Sequence, residues 1–298
     1  MKGACVPSLS VVIPTFNNEA ILRRAVGSWR EAADAHDVEV IVVEDGCGDG
    51  TRRFLDEESA TPWGARHLRW LHTDDVHELR CTNAGFAAAR APLLAAWQDD
   101  MFLRSRWLVP ELLRTFRAYA EIGLLSLSRG LDHHPSTGEI RSWDDLVDER
   151  RLRSTIGPSL YNWLRLQEVD GVIRPWVVRR QCLQHVGPLD EAFVPTEWDE
   201  ADLACRIRAA GWKVATCGYE RLEGYTHLGS STLGALTEAY KAGVLRNGRL
   251  FHERWDGAIA RDHARTRRTW RRRPTAGGWL NTGRQAARAA LARGLGVR

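Results

Sequence analysis

Two acidic clusters in this 298-residue chain fall where apolar runs end and a third heads a helical segment, and each has the residue types to do chemistry. Gln98-Asp99-Asp100 follows the apolar run 93–97. Adjacent carboxylates at the end of a buried strand need a cation or hydrogen-bond donors. A hard divalent ion shared with a diphosphate suits them, because Mg²⁺ takes only one or two protein carboxylates and fills its shell with phosphate oxygens and water. Asp100 could equally cap a helix running from 102 to 119. Glu44-Asp45-Gly46-Cys47-Gly48-Asp49-Gly50-Thr51 closes a second apolar run, 38–43. Asp45 can accept the ring N–H of a uracil-like base, with glycines permitting close backbone approach. The other reading is a plain turn in which Asp49 caps the next helix. A calcium loop starting at Asp45 fits poorly, since Cys47 takes a ligand position and a strand precedes it. The third cluster, Glu197-Trp198-Asp199-Glu200-Ala201-Asp202, heads a helical segment. The helix dipole favours acids there. Four within six residues is more than capping requires, and adjacent like charges raise the pKa of at least one, which suits a general base. His227 closes a later apolar segment and is either a ligand or structural.

The elements that position these groups read as an alternation. Residues 10–13 form an apolar, β-branched run ending in Pro14-Thr15-Phe16-Asn17. Residues 20–35 have helical spacing, with Ile21, Leu22, Ala25, Val26 and Trp29 on one face. Strands at 38–43, 68–72 and 93–97 and helices at 51–58 and 77–89 follow. Buried strands joined by helical crossovers predict a mostly parallel sheet covered on both faces, with ligands outside the carboxyl ends of its strands. The second half is less regular. It reads as a polar loop with short helices over 130–158, a strand at 169–178, a short helix at 180–185 and a helix at 199–210 closed by Gly211. Strands at 213–217 and 221–226 lead to His227. There are no internal repeats, no P-loop and no Gly-x-Gly-x-x-Gly pattern.

Composition narrows the class. A hydrophobic fraction of 44% and a charged fraction of 27% are ordinary for a soluble globular chain. The six cysteines form no C-x-x-C pair, which argues against a zinc site or disulfide framework and for a reducing cytoplasm. No run approaches the roughly 18 apolar residues of a membrane span, and residues 1–9 lack the apolar core of a leader peptide. Charge is unevenly spread. Residues 258–298 hold eleven arginines and one acid, so they carry +10, while the preceding residues carry −6 of the formal +4. The expected organisation is a domain over 1–256, its nucleotide-binding half at about 1–100, and a basic helical tail over 257–298. Such a tail either stays solvated or meets an anionic surface, with a membrane favoured over nucleic acid.

Together these residues resemble the inverting family 2 glycosyltransferases of the GT-A fold, in order and approximate spacing over about 9–256. The family's first strand and turn correspond to Val11-Val12-Ile13-Pro14-Thr15-Phe16-Asn17, and its Asp-Asp-Gly-Ser-like turn to Glu44-Asp45-Gly46-Cys47. Its Asn-x-Gly helix is Asn83-Ala84-Gly85, and its Asp-x-Asp motif is Gln98-Asp99-Asp100, followed by Trp107-Leu108. Val186-Gly187-Pro188-Leu189-Asp190-Glu191-Ala192-Phe193 matches a later motif. Asp199-Glu200-Ala201-Asp202-Leu203-Ala204-Cys205-Arg206 matches the Glu-Asp-x-Asp-Leu-x-x-Arg motif, and His227 follows. The resemblance implies a GT-A type, Rossmann-like sheet and transfer of a sugar from a UDP-, dTDP- or GDP-linked donor to a hydroxyl of a glycan, glycolipid or other acceptor. It implies donor contacts from Pro14, Thr15, Phe16, Glu19, Asp45, Gln98 and Asp99, with Mg²⁺ or Mn²⁺ on Asp100 and His227. Glu200 or Asp199 would be the base. Three departures from the pattern are present: Gln98 replaces an acid, Glu and Asp are exchanged at 199 and 200, and Glu44 replaces an Asp. The first two leave a catalytically degenerate binding protein as the alternative. Trp143, Trp163, Trp176 and Trp198 could stack on sugar rings or fill the core.

Overall fold

The computed structural model describes residues 6–135, 138–146, 152–154, 164–195, 197–228 and 237–294. Its strands, in chain order, are β1 (Leu9–Thr15), β2 (Val38–Asp45), β3 (Leu68–Thr73), β4 (Leu93–Ala96), β5 (Met101–Leu103), β6 (Ile122–Ser126) and β7 (Gly130–His133). They continue as β8 (Leu152–Ser154), β9 (Arg165–Glu168), β10 (Gly171–Val172), β11 (Trp176–Arg179), β12 (Lys213–Thr216), β13 (Tyr225–His227) and β14 (Thr269–Arg271). Nine of them build the central sheet in the order β14-β9-β12-β6-β11-β4-β1-β2-β3. Pairing directions show that seven of the nine run the same way, with β9 and β11 reversed. The expected α/β architecture, with a mostly parallel sheet flanked by helices, is therefore what the chain adopts.

The β-branched runs form these strands because both faces are covered. Along β1, Val11 and Ile13 enter one apolar cluster and Val12 the other; along β2, Val40 and Val42 part from Ile41 and Val43 in the same way. The helix Glu78–Ala88 lies close on β1, and a Cβ added at Gly85 would sit 2.3 Å from Val12 Cγ1. Close packing is thus what the Asn-x-Gly motif's glycine provides. Asn83 adds a tether: its amide donates to Leu189 O at 2.8 Å and accepts from Leu189 N at 3.0 Å.

Several expectations change in detail. The helix expected over 20–35 divides into Glu19–Ser28 and Arg30–His36. No helix starts at 102. Residues 101–103 form β5, which pairs with β13, and the helix runs only from Leu108 to Ala118. Asp100 therefore caps nothing there. The strand expected over 169–178 is the separate pieces β10 and β11 with β9 ahead of them, and only 225–227 of the next expected strand is extended.

The basic segment from 257 onward is built into the body. The helix Glu238–Asp262 crosses the expected 256/257 boundary, and β14 forms an edge of the central sheet. Arg267 pairs with buried Asp170, and Arg265 reaches Glu168 at 3.2 Å. Arg272 is fully buried against Glu111, with Nε 2.6 Å from Oε1, and its Nη2 donates to Thr282 Oγ1 at 2.7 Å. Burial pushes the Glu111 carboxyl up to about 7 even beside this guanidinium. Counting charges detected the arginines but not these partners. Replacing one member of a buried pair strands the other, at a cost of about 3–5 kcal/mol. Arg272→Met should lose that much stability in urea unfolding, and an unchanged midpoint would show the pair to be dispensable.

Candidate functional site

The carboxyl ends of β1, β2 and β4 gather the expected donor-side residues on one edge. Thr15 ends β1 and donates from Oγ1 to Asp99 at 2.7 Å; Pro14 is buried beneath it, and Phe16 stands 53% exposed with a free ring face. Asp45 ends β2. Its Oδ1 accepts from Thr73 Oγ1 and Val76 N, each at 2.8 Å, and its Oδ2 accepts from His77 N at 2.9 Å. Burial acts to raise this carboxyl, but these donors outweigh it and hold it below its ordinary value. Oδ2 keeps a lone pair beyond the His77 bond.

The neighbouring acids have other work. Glu44 is fully buried and turns inward, accepting from Cys47 N, from Arg52 Nε at 3.0 Å and from His72 Nδ1 at 2.7 Å. Asp49 accepts from Thr51 N and Glu19 N, both at 3.0 Å, so it ties together the starts of two helices. Glu19 itself pairs with Arg23 at 2.6 Å, beside an open cavity of about 420 Å³ lined by Asn17, Asn18, Glu19, Ala20, Arg23 and Asp49.

Beyond β4, Asp99 is pushed up to about 6, chiefly by burial. Asp100 is buried, and His227 Nε2 lies 3.4 Å from its Oδ2 because β5 pairs with β13, setting Met101 opposite His227. Hydrogen bonding to Asp100 raises the His227 pKa. A carboxylate oxygen beside an imidazole nitrogen is a reasonable two-donor set for Mg²⁺ or Mn²⁺ sharing a diphosphate. Among the described residues no group of three or more His, Cys, Asp or Glu is arranged to hold a metal ion, so a cation here would complete its shell from substrate and water.

Gln98 connects this edge to the late acids. Its Nε2 approaches Glu78 Oε1 at 3.4 Å, and Glu78 pairs with Arg174. The buried Arg174 guanidinium also faces Glu200 (Nε to Oε1, 2.6 Å) and Asp199 (Nη2 to Oδ2, 3.6 Å). Trp176 Nε1 donates to the same Glu200 Oε1 at 3.0 Å, and Oε2 has no partner among the described residues. Burial raises both Asp199 and Glu200, Arg174 opposes the rise, Glu78 adds to it in both, and Asp199 adds to it in Glu200. Asp202, by contrast, is fixed: it accepts from Arg206 Nε at 2.7 Å and Trp255 Nε1 at 2.9 Å, while Arg206 also donates to Val186 O, Gly187 O and Pro188 O.

Sequence reasoning missed Glu78, Arg174 and the role of Trp176. Only the helix-start position of Glu78 carried any local signal. Of the candidate stacking residues, Trp176 is core, and Trp198 packs on Phe251 with ring centroids 4.8 Å apart. Trp163 and the Trp143 side chain lie outside the described residues.

Residues 10–125 match the family described as "Glycosyl transferase family 2". That stretch holds every strand-end acid of the donor edge. The matched segment belongs to family 2 of the glycosyltransferases. It is also 36% identical over 233 residues to proteins named validoxylamine A glucosyltransferase from Streptomyces hygroscopicus subsp. limoneus and subsp. jinggangensis (strain 5008). These alignments cover 71% of this chain and 50% and 54% of the relatives, so the chain spans about half their length.

The guanidinium at 174 stands alone against three carboxylates, which makes its loss pH-dependent. Asp199 and Glu200 already titrate above their ordinary values, so the folded state holds protons that the unfolded chain releases, and stability falls as pH rises through that window. Arg174→Met should widen the window and cost about 3 kcal/mol at pH 8, and less at pH 6. Equal losses in thermal unfolding at the two pH values would contradict this charge balance.

Proposed function

We propose that this glycosyltransferase moves a sugar, with inversion, from a nucleoside-diphosphate sugar to an acceptor hydroxyl, using Glu200 as general base. The observation that carries the proposal is the Glu200 carboxylate: Oε1 is fixed by Arg174 and Trp176, Oε2 is left without a partner, and burial raises its pKa. A buried carboxylate with a raised pKa is a stronger base toward a hydroxyl, and one immobilised oxygen aims the other. Asp199 lies one position earlier, deeper and farther from Arg174, and is the second candidate.

The donor reading places a base of the UDP, dTDP or GDP type against Asp45, with Pro14, Thr15 and Phe16 beside it and Gln98 and Asp99 toward the ribose or sugar. Glu19, paired with Arg23, borders the cavity next to this edge. Asp100 and His227 would hold Mg²⁺ or Mn²⁺, which when bound supplies charge neutralisation for the departing diphosphate. The acceptor reading spans glycans, glycolipids and other hydroxyl compounds. The relatives' name makes glucosyl donors and validoxylamine A the first pair to assay. No described helix is long and apolar enough to cross a membrane.

Turnover with UDP-, dTDP- and GDP-glucose, followed as nucleoside diphosphate release, should require Mn²⁺ or Mg²⁺ and stop on chelation. Asp100→Ala should lower kcat/KM by at least about a hundredfold, the scale of a lost metal or electrostatic contact. Glu200→Gln should lower kcat by a similar factor of about 10² to 10⁴ while leaving donor binding intact. Full turnover in Glu200→Gln with loss in Asp199→Asn would move the base to Asp199. A base works ionised, so kcat/KM should fall on the acid side with a limb well above the ordinary glutamate value of about 4.3.

A further inference from the structure

The last described helix, Ala276–Gly294, has one face committed to the body. Thr282 is buried, Ala286 and Ala289 pack against the core, Asn281 reaches Leu222 O, and a Cβ at Gly277 would meet Trp107 at 3.3 Å. The opposite face is apolar and open. Of six exposed large apolar residues among the described residues, three lie on this helix: Trp279 (46%), Leu280 (65%) and Leu291 (65%). At about 100° per residue, Leu280, Ala287 and Leu291 fall within about 40° of one another, so they form a ridge rather than a scatter.

The helix's own charges are of one sign, and one of them, Arg288, pairs with Glu223 of the body. Residues 276–294 contain arginines and no acid. Arg284 is exposed on the same side of the helix, and Arg271 and Arg273 are exposed just ahead of it; none of the three has a carboxylate partner among the described residues. Arg265, Arg267 and Arg272 are consumed inside the fold, so the surface charge is narrower than the composition implies.

We propose that this face of the helix lies on an anionic lipid bilayer, with Trp279, Leu280 and Leu291 entering the interface and Arg271, Arg273 and Arg284 meeting lipid phosphates. An exposed apolar ridge bordered by unpaired arginines and lacking any acid matches what an interfacial helix needs, and a Trp suits the headgroup level. Neutral protein surface satisfies the ridge but leaves the arginines without counter-charge. The inference does not depend on which sugar is transferred, nor on whether any is.

Vesicle flotation tests it with the full chain. The protein should float with phosphatidylcholine vesicles containing about 30% phosphatidylglycerol, bind pure phosphatidylcholine at least about tenfold more weakly, and release in about 1 M salt, where screening shrinks to about 3 Å. Leu280→Glu with Leu291→Glu, and separately Arg271→Glu with Arg284→Glu, should each weaken anionic binding about tenfold or more. Circular dichroism and the thermal midpoint should stay unchanged, since these side chains are exposed. Equal binding by wild type and variants overturns the proposal, as does equal affinity for the two vesicle types. Failure to float, together with a dimer on size exclusion that Leu280→Glu dissociates, overturns it in favour of a contact between two copies.

Discussion

A single buried guanidinium governs the centre of this molecule. Glu78, Asp199 and Glu200 come from two helices far apart in sequence, and they converge on Arg174 in surroundings where unneutralised charge is costly. One cation cannot balance three anions. Burial raises the pKa values of Asp199 and Glu200 and the excess of anions adds to the rise, giving the property a base near neutral pH needs. The same balance gives a physical account of Gln98. An amide at that position donates to Glu78, whereas an acid would add a fourth negative charge to a cluster already short of cations. The departure from the family's metal motif is therefore consistent with the acids it neighbours, and it leaves Asp100 and His227, 3.4 Å apart, as the pair proposed to face a cation.

Acidic residues of similar type divide by environment. Glu44, Asp49 and Asp202 spend their oxygens on turns, helix starts and a strapped loop. Asp45, Asp99 and Asp100 lie at strand ends that open on one edge, and Glu200 retains a free oxygen. A motif written as adjacent acids thus resolves into a structural member and a member proposed to do the chemistry: Glu44 builds the turn that presents Asp45, and Asp202 anchors the helix that presents Glu200. Substituting the structural member would disturb the chemical one indirectly, so loss of activity alone does not identify which acid touches substrate.

The first four strands and the edge they form were legible because β1 and β2 are β-branched runs, β3 and β4 are short leucine-containing runs, and each is followed by a polar turn. Residues 101–103 were not. Met-Phe-Leu next to a helical pattern reads as its first turn, and only the pairing with Tyr225-Thr226-His227, more than 120 residues away, makes it a strand. That pairing is also what sets His227 beside Asp100, so the misread element and the two-donor arrangement share one cause. Arg174 and Glu78 escaped for a related reason. Neither has a local pattern, and their importance lies in partners supplied by the fold. The arginines after 257 show the reverse case, since their density was plain while their allocation between interior and surface was not.

That allocation follows from the sheet. β9 would be an open edge without β14, and an open edge invites pairing with other chains. Covering it brings an arginine-rich segment across Glu168 and Asp170, acids that, with Asp132 and Asp262 beside them, Lys213 and Arg208 alone would leave with surplus negative charge. Arg265 and Arg267 supply the balance on one side of β14, and Arg272 enters toward Glu111 on the other. The alternation of a strand then forces its neighbours outward: with Trp270 and Arg272 buried, Arg271 and Arg273 must face solvent. The basic outer surface is thus in part a geometric consequence of closing the sheet with a strand whose inward positions are needed for charge. The helix that follows inherits its placement from the same closure, through Arg272 donating to Thr282.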